Sequence, residues 1–261
     1  NMWFARDGYG ACRFNGETFF HFLMKDGLHS NNVKEIEIDN DGNLIIGGYF
    51  EEKAVFDSTE IRADNGMFLA KYSTDGDLIW LRQGNIKRGT ISKVESDNAG
   101  NIYVTGNYRD FEANWGANYI NSVGSPASFV VKYDKGGAVK WAKSLENELL
   151  IWNDVADLII DSDGNLLILV TEGTLNTRSS CEYKKWHTEL FNIDVSDGSQ
   201  RWKKRFQSSD LHVARSVAID EKGNILLVGH YRGIFQFDNV KIESEPYENC
   251  SSTTGFVAFL D

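Results

Sequence analysis

A chain of 261 residues, 41% hydrophobic and 13% aromatic, can bury a full core, which excludes a disordered tail. The formal charge of -11, from 27 basic and 38 acidic residues, argues against nucleic acid as a partner, because a phosphate backbone is held by a basic face. No apolar run approaches the roughly 18 residues of a membrane helix, so no membrane insertion is expected.

The opening NMWFARDG lacks the charged, apolar, small-residue order of a signal peptide and does not begin at Met, so the expectation is a mature form or an excised domain. Residues 9–32 read as an insert that caps a central channel: from Trp3 to Gly42 is 39 positions, against 20, 23 and 21 for the matching intervals downstream. The first full unit then runs strand A (VKEIEID), a DNDGN turn, strand B (NLIIGGY), a long excursion, strand C (FLAKYS), a Gly turn and strand D (LIWLRQ). The same text returns from Asp97, Asp161 and Asp220, with Gly42, Gly100, Gly164 and Gly223 spaced by 58, 64 and 59 residues. A D-x-x-G-N stretch between apolar runs is a hairpin turn. FLAKYSTDGDLIW, FVVKYDKGGAVKW and LFNIDVSDGSQRW each read as strand, Gly turn, and strand ending in Trp.

Four antiparallel strands per unit make a propeller blade. The predicted fold is all-β: one domain over residues 1–261, a β-propeller of four blades at 33–84, 91–145, 154–206, and 214–261 together with 1–7. The last unit stops at GFVAFLD, strand C, while NMWFARDG matches the end of strand D, so the ring is expected to close by the N-terminal strand pairing into the last blade. A larger ring from which whole repeats had been excised would show the same phase.

These residues, D-x-x-G-N followed by an apolar run and Gly, then F-V-x-K-Y-D-x-x-G-x-x-x-W, resemble the SBBP-type β-propeller repeats of bacterial secreted and cell-surface proteins. The second unit matches best. The third departs, with Val170 where the others have Gly48, Gly106 and Gly229, and Leu190 in place of Phe. The resemblance implies a propeller and an extracellular or cell-surface setting, and it implies no specific activity.

Within the turns, Asp39 with Asp41 and Asp161 with Asp163 are weak Ca²⁺ candidates, since the third position is Ala99 and Lys222 in the other copies; an Asx-stabilised hairpin explains them without metal. Trp3, Trp80, Trp141 and Trp202 recur once per unit, as inter-blade packing requires, and Trp115 aligns with Phe56 and Phe237 as a core ring. No cofactor is expected. Histidine spacing supports no zinc site, and no nucleophile motif appears. Glu35, Glu37, Glu95 and Asp157 on the inner strands are the carboxylates that a propeller glycosidase would need, and read more simply as strand-face charges.

Strand alternation puts the long, dissimilar connections on one face, where binding on a repeated scaffold sits. Trp152, Trp186, Tyr183, Tyr247, His187, Phe19 and Phe20 lie there without counterparts in other units and are the candidate ligand contacts; loop packing is the plainer alternative. Cys181 and Cys250 are the candidate disulfide, leaving Cys12. The expected function is a non-enzymatic binding module for a protein or a glycan, the alternative a structural spacer of a larger surface protein, and a glycosidase third. Oligomeric state is not legible.

Overall fold

The computed structural model describes residues 2–6, 10–14, 17, 19–22, 33–84, 86, 89–109, 112–115, 118–121, 126–145, 152–175, 184–208, 211–237, 240–243 and 254–260. Among them all regular structure is β-strand, every strand pairing is antiparallel, and the chain divides into two compact units, Asn1–Glu146 and Asn147–Asp261.

The first unit opens with a three-stranded sheet of β1 (Met2–Arg6), β2 (Gly10–Phe14) and β3 (Phe19–Phe22). The first repeat forms a four-stranded meander of β4 (Val33–Ile38), β5 (Leu44–Phe56), β6 (Thr59–Tyr72) and β7 (Leu78–Gly84). The second contains β8 (Thr90–Ser96) and β9 (Ile102–Tyr108), a separate hairpin of β10 (Glu112–Trp115) and β11 (Asn118–Asn121), then β12 (Ala127–Tyr133) and β13 (Val139–Leu145), in the order β13-β12-β9-β8.

In the second unit, β14 (Trp152–Ile160), β15 (Leu166–Leu175), β16 (Lys184–Ile193) and β17 (Gln200–Ser208) form the third repeat sheet. The fourth has β18 (Leu211–Ile219) and β19 (Ile225–Arg232), a hairpin of β20 (Ile234–Phe237) and β21 (Val240–Glu243) that joins the edge of β17, and β22 (Thr254–Leu260). Its sheet order is β18-β19-β22, three strands among the described residues.

Residues 9–32, expected as an insert, contribute β2 and β3. The expected pairing of the N-terminal strand with the last repeat is not among the described pairings: β1 is bonded to β2, with Trp3 opposite Arg13. A short connection makes the β1–β2 pairing cheap in loop entropy, and it engages one edge of β1.

The repeat turns explain why the text recurs. In each, the Gly N–H donates to the Asp carbonyl, as in Gly42 to Asp39 at 2.9 Å, with the Gly at a positive φ of 79–87°. The carboxylate Oδ1 accepts from the second and fourth following amides, as Asp97 does from Ala99 and Asn101 at 2.9 and 2.8 Å. A left-handed Gly and an Asx acceptor in one turn are what D-x-x-G-N encodes. Successive sheets within each unit then pack face to face. Leu69 and Trp80 of the first share a core with Val94, Val104 and Val131 of the second, and Leu169 and Leu190 of the third share one with Val217 and Leu227 of the fourth.

The second oxygen of each turn Asp is also engaged. Burial pushes the Asp97 carboxyl up, but hydrogen bonds from Asn101 and Tyr103 outweigh it and hold it below the usual carboxylate range. Asp39 behaves alike, burial being outweighed by Lys71 and Asn43. A depressed folded-state pKa contributes stability that is complete above the unfolded value of about 3.9 and is lost as pH falls through the folded one. Glu37, raised by burial despite its bond from Ser96, works in the opposite direction. Thermal melts at pH 7 and pH 3 are expected to show a drop in Tm on acidification that is smaller in Asp97→Asn; an equal drop in both would show that this carboxylate is not linked to folding.

Candidate binding site

Strand B glycines stand directly opposite strand C phenylalanines in three sheets: Gly48 with Phe68, Gly106 with Phe129, Gly229 with Phe256. In the second and fourth repeats the ring lies over the glycine. A Cβ on Gly106 would come within 2.8 Å of the Phe129 ring and 2.0 Å of the Thr90 carbonyl oxygen; on Gly229, within 2.8 Å of Phe256 and 2.3 Å of the Val213 carbonyl oxygen. A second ring completes each plug, with Phe56 on Phe68, Trp115 on Phe129 and Phe235 on Phe256, all at 4.8 Å between centroids. Trp115 is thus the core ring that its alignment with Phe56 predicts.

The third sheet breaks this device. Val170 occupies the glycine position and Glu189 the phenylalanine position. Sequence reading placed Leu190 there, but the register puts it one residue on, and successive strand residues face opposite ways. The signal was present: a Val at the Gly site leaves no room for a ring, so its partner must be something else. The buried Glu189 carboxylate is neutralised by Lys203 at 3.2 Å and Arg205 at 3.5 Å, and the Lys203 ammonium sits 5.3 Å from the centre of the Phe191 ring.

Beyond this pair, β15 and β16 continue past the plug position as far as Leu175 opposite Lys184. Three cross-strand rows result. Asp154, Thr171, Thr188 and Phe206 form one; Asn153, Glu172 and His187 the next, with Glu172 and Asn153 buried and His187 half-buried; Trp152, Gly173 and Trp186 the outermost. The rows are anchored to the next sheet at Ala214, whose carbonyl accepts from the Thr171 hydroxyl at 3.3 Å and whose N–H donates to Thr188 Oγ1 at 3.2 Å. Burial raises the Asp154 carboxyl, an effect that Arg215 opposes, and burial together with Arg215 lowers the His230 imidazole. This strand end therefore combines amide, carboxylate, imidazole and hydroxyl groups where the other sheets hold two aromatic rings.

Of the residues singled out in sequence, Trp152 and Trp186 lie in strands rather than loops, β14 and β16, because the segments around them pair in register through Gly173. His187 is beside them in β16, opposite Glu172. Phe19 and Phe20 are in β3, opposite Phe14 and Arg13, in the other unit. Tyr183, Tyr247, Cys181 and Cys250 lie outside the described residues, and Cys12 is a buried free thiol. Asp39, Asp41, Asp161 and Asp163 sit in the turns at the opposite strand ends. The Asp39 carboxylate already faces the buried Lys71 ammonium, and that of Asp161 accepts from Asp163, Asn165 and Asn192. The inner-strand carboxylates tie consecutive strands: Glu37 accepts from the Ser96 hydroxyl at 2.9 Å, Glu35 lies 3.7 Å from Lys93, and Asp157 accepts from Ser216 and Val217 at 2.7 and 2.9 Å. Among the described residues no cluster of three His, Cys, Asp or Glu side chains could hold a metal ion.

No protein-family model matches the chain. Over 194 residues, 62% of its length, it is 24% identical to an uncharacterized WD repeat-containing protein of Acanthamoeba polyphaga mimivirus, of which it spans 14%. Repeated antiparallel sheets and this distant likeness together point to the β-propeller class.

Proposed function

We propose that the chain is a β-propeller interaction module, non-catalytic, which binds a protein partner through the end of the third sheet. The observation that carries this reading is the replacement of the Gly–Phe plug by Val170 and Glu189 at the strand end that also bears His187, Trp152 and Trp186. A repeat that only had to pack would keep the plug that three of its copies keep. Likeness to a WD repeat-containing protein supports a protein as the partner. A glycan is the second reading, favoured by the row Trp152, Gly173, Trp186, in which a residue without a side chain separates two whose rings suit sugar stacking.

Four blades in one closed domain, with Met2–Arg6 completing the last, belong to the same proposal, supported by the strand count and by the exposed apolar Val257 and Phe259 in β22. The sequence resemblance alone supports a secreted or surface setting.

Parallel screens of the purified chain on protein and glycan arrays, repeated with Trp152→Ala and Trp186→Ala, test the site. Saturable binding of one class that both substitutions weaken about tenfold or more, as loss of an aromatic hot-spot contact does, is expected. Binding that neither substitution changes would move the site elsewhere, and no binding on either array would favour a structural spacer.

A further inference from the structure

Strand D of the third sheet concentrates positive charge that the matching strands lack. β17 reads QRWKKRFQS, with four cations in the five positions 201–205 and no carboxylate, in a chain whose formal charge is -11. Aligned on Trp202, the same five positions hold Arg82 alone in β7, and Lys140 with Lys143 in β13. Arg201 and Lys203 are exposed, and Lys204 and Arg205 are half-buried. Lys203 and Arg205 face one buried carboxylate between them, that of Glu189, so the pair keeps a net positive charge after neutralising it.

The backbone of β17 is open along the same stretch. One edge pairs with β16 from Gln200 to Phe206, and the only other strand bonded to β17 among the described residues is β20, at Gln207 and Ser208. The second edge therefore presents a row of amide and carbonyl groups beside the cations, next to a place where β17 already accepts a strand of its own chain.

We propose that this edge is a docking site for an extended acidic segment of a protein partner, which adds to the sheet as a strand. Cations along an edge repel a second β17 and so discourage pairing between copies. The same charges favour a strand whose side chains are carboxylates. Strand alternation sends Arg201, Lys203 and Arg205 to one face and Trp202 and Lys204 to the other. An incoming strand with Asp or Glu at every second position sets a carboxylate opposite each of the first three, where opposite charges stabilise a cross-strand pair. Main-chain hydrogen bonds hold the segment, and the carboxylates select it. A long polyanion fits less well, because the rest of an acidic surface repels whatever extends beyond the strand. This edge is separate from the row of Trp152, Gly173 and Trp186, and the proposal does not depend on that row.

The test is fluorescence anisotropy of the full chain with labelled peptides EVEVEVE, KVKVKVK and EPEPEPE. Saturable binding of EVEVEVE and none of KVKVKVK is expected. EPEPEPE keeps the charges and their spacing on a polyproline-type backbone that lacks half its amide donors, and it should bind about tenfold more weakly or worse. Arg201→Gln/Lys204→Gln removes two cations while leaving Lys203 and Arg205 on Glu189, and Gln can still donate to Asn165 Oδ1 as Arg201 does. That variant, its fold checked by circular dichroism, should bind EVEVEVE about fivefold more weakly or worse, the effect of one or more exposed ion pairs. No saturable binding of EVEVEVE to the folded chain, equal binding of EPEPEPE, or undiminished affinity in the charge variant would overturn the assignment.

Discussion

Asp39→Ala is expected to lower Tm by roughly 6–20 °C, the consequence of a loss of about 3–5 kcal/mol when one partner of a buried ion pair is removed. Lys71 and Asp39 face each other at 2.5 Å with 2% side-chain exposure each. Truncating Asp39 leaves an ammonium in the core and also removes the acceptor for the turn N–H groups of Asp41 and Asn43. Asp39→Asn keeps a turn acceptor and loses only the charge, so its melting point should fall between those of Asp39→Ala and the wild type. Adding Lys71→Met to Asp39→Ala should recover much of the loss, since a buried pair replaced by apolar groups costs little. A double variant no more stable than Asp39→Ala would mean that the turn, and not the buried charge, dominates.

Gly106→Val is expected to cost about 3 kcal/mol, or roughly 6–12 °C in Tm, through overpacking. The added carbon would stand 2.0 Å from the Thr90 carbonyl oxygen, a backbone atom that cannot move without displacing β8, and 2.8 Å from the Phe129 ring. Phe129→Glu added to it writes the third sheet's pair into the second. That relieves the ring contact but not the carbonyl contact, and it buries a carboxylate without counterparts to Lys203 and Arg205. The double variant should therefore be less stable than Gly106→Val alone. Were it equally stable or better, Val–Glu would be a self-sufficient alternative plug, and its presence in the third sheet would carry no functional weight.

The parts of the fold that depend on local chemistry were readable from residues alone. D-x-x-G-N specifies a turn through an Asx acceptor and a left-handed glycine, and four copies reveal four repeat sheets. The Trp positions of strand D follow from the same periodicity. Register was less legible: a one-residue ambiguity in LFNIDV put Leu190 where Glu189 stands, because only cross-strand pairing with Val170 distinguishes them. Trp152 and Trp186 were read as loop residues, since TEGTL and KKWHTEL carry no turn signal that would mark where pairing stops. The candidate site was legible as a set of odd residues, yet its definition, a missing aromatic plug, required knowing what fills the same place in the other sheets. NMWFARDG suits strand D by alignment, while its pairing with β2 depends on residues 10–14, which carry no repeat signal.

The measurement that bears most directly on the proposed site is a binding titration of the array-selected partner against the chain and against Val170→Gly/Glu189→Phe, which restores the repeat pair. The expected result is a folded variant, with Tm unchanged or raised, whose affinity for the partner has fallen at least about tenfold, as removal of a central contact does. Undiminished affinity in that folded variant would contradict the account, because the one structural departure on which the site rests would then make no difference to binding.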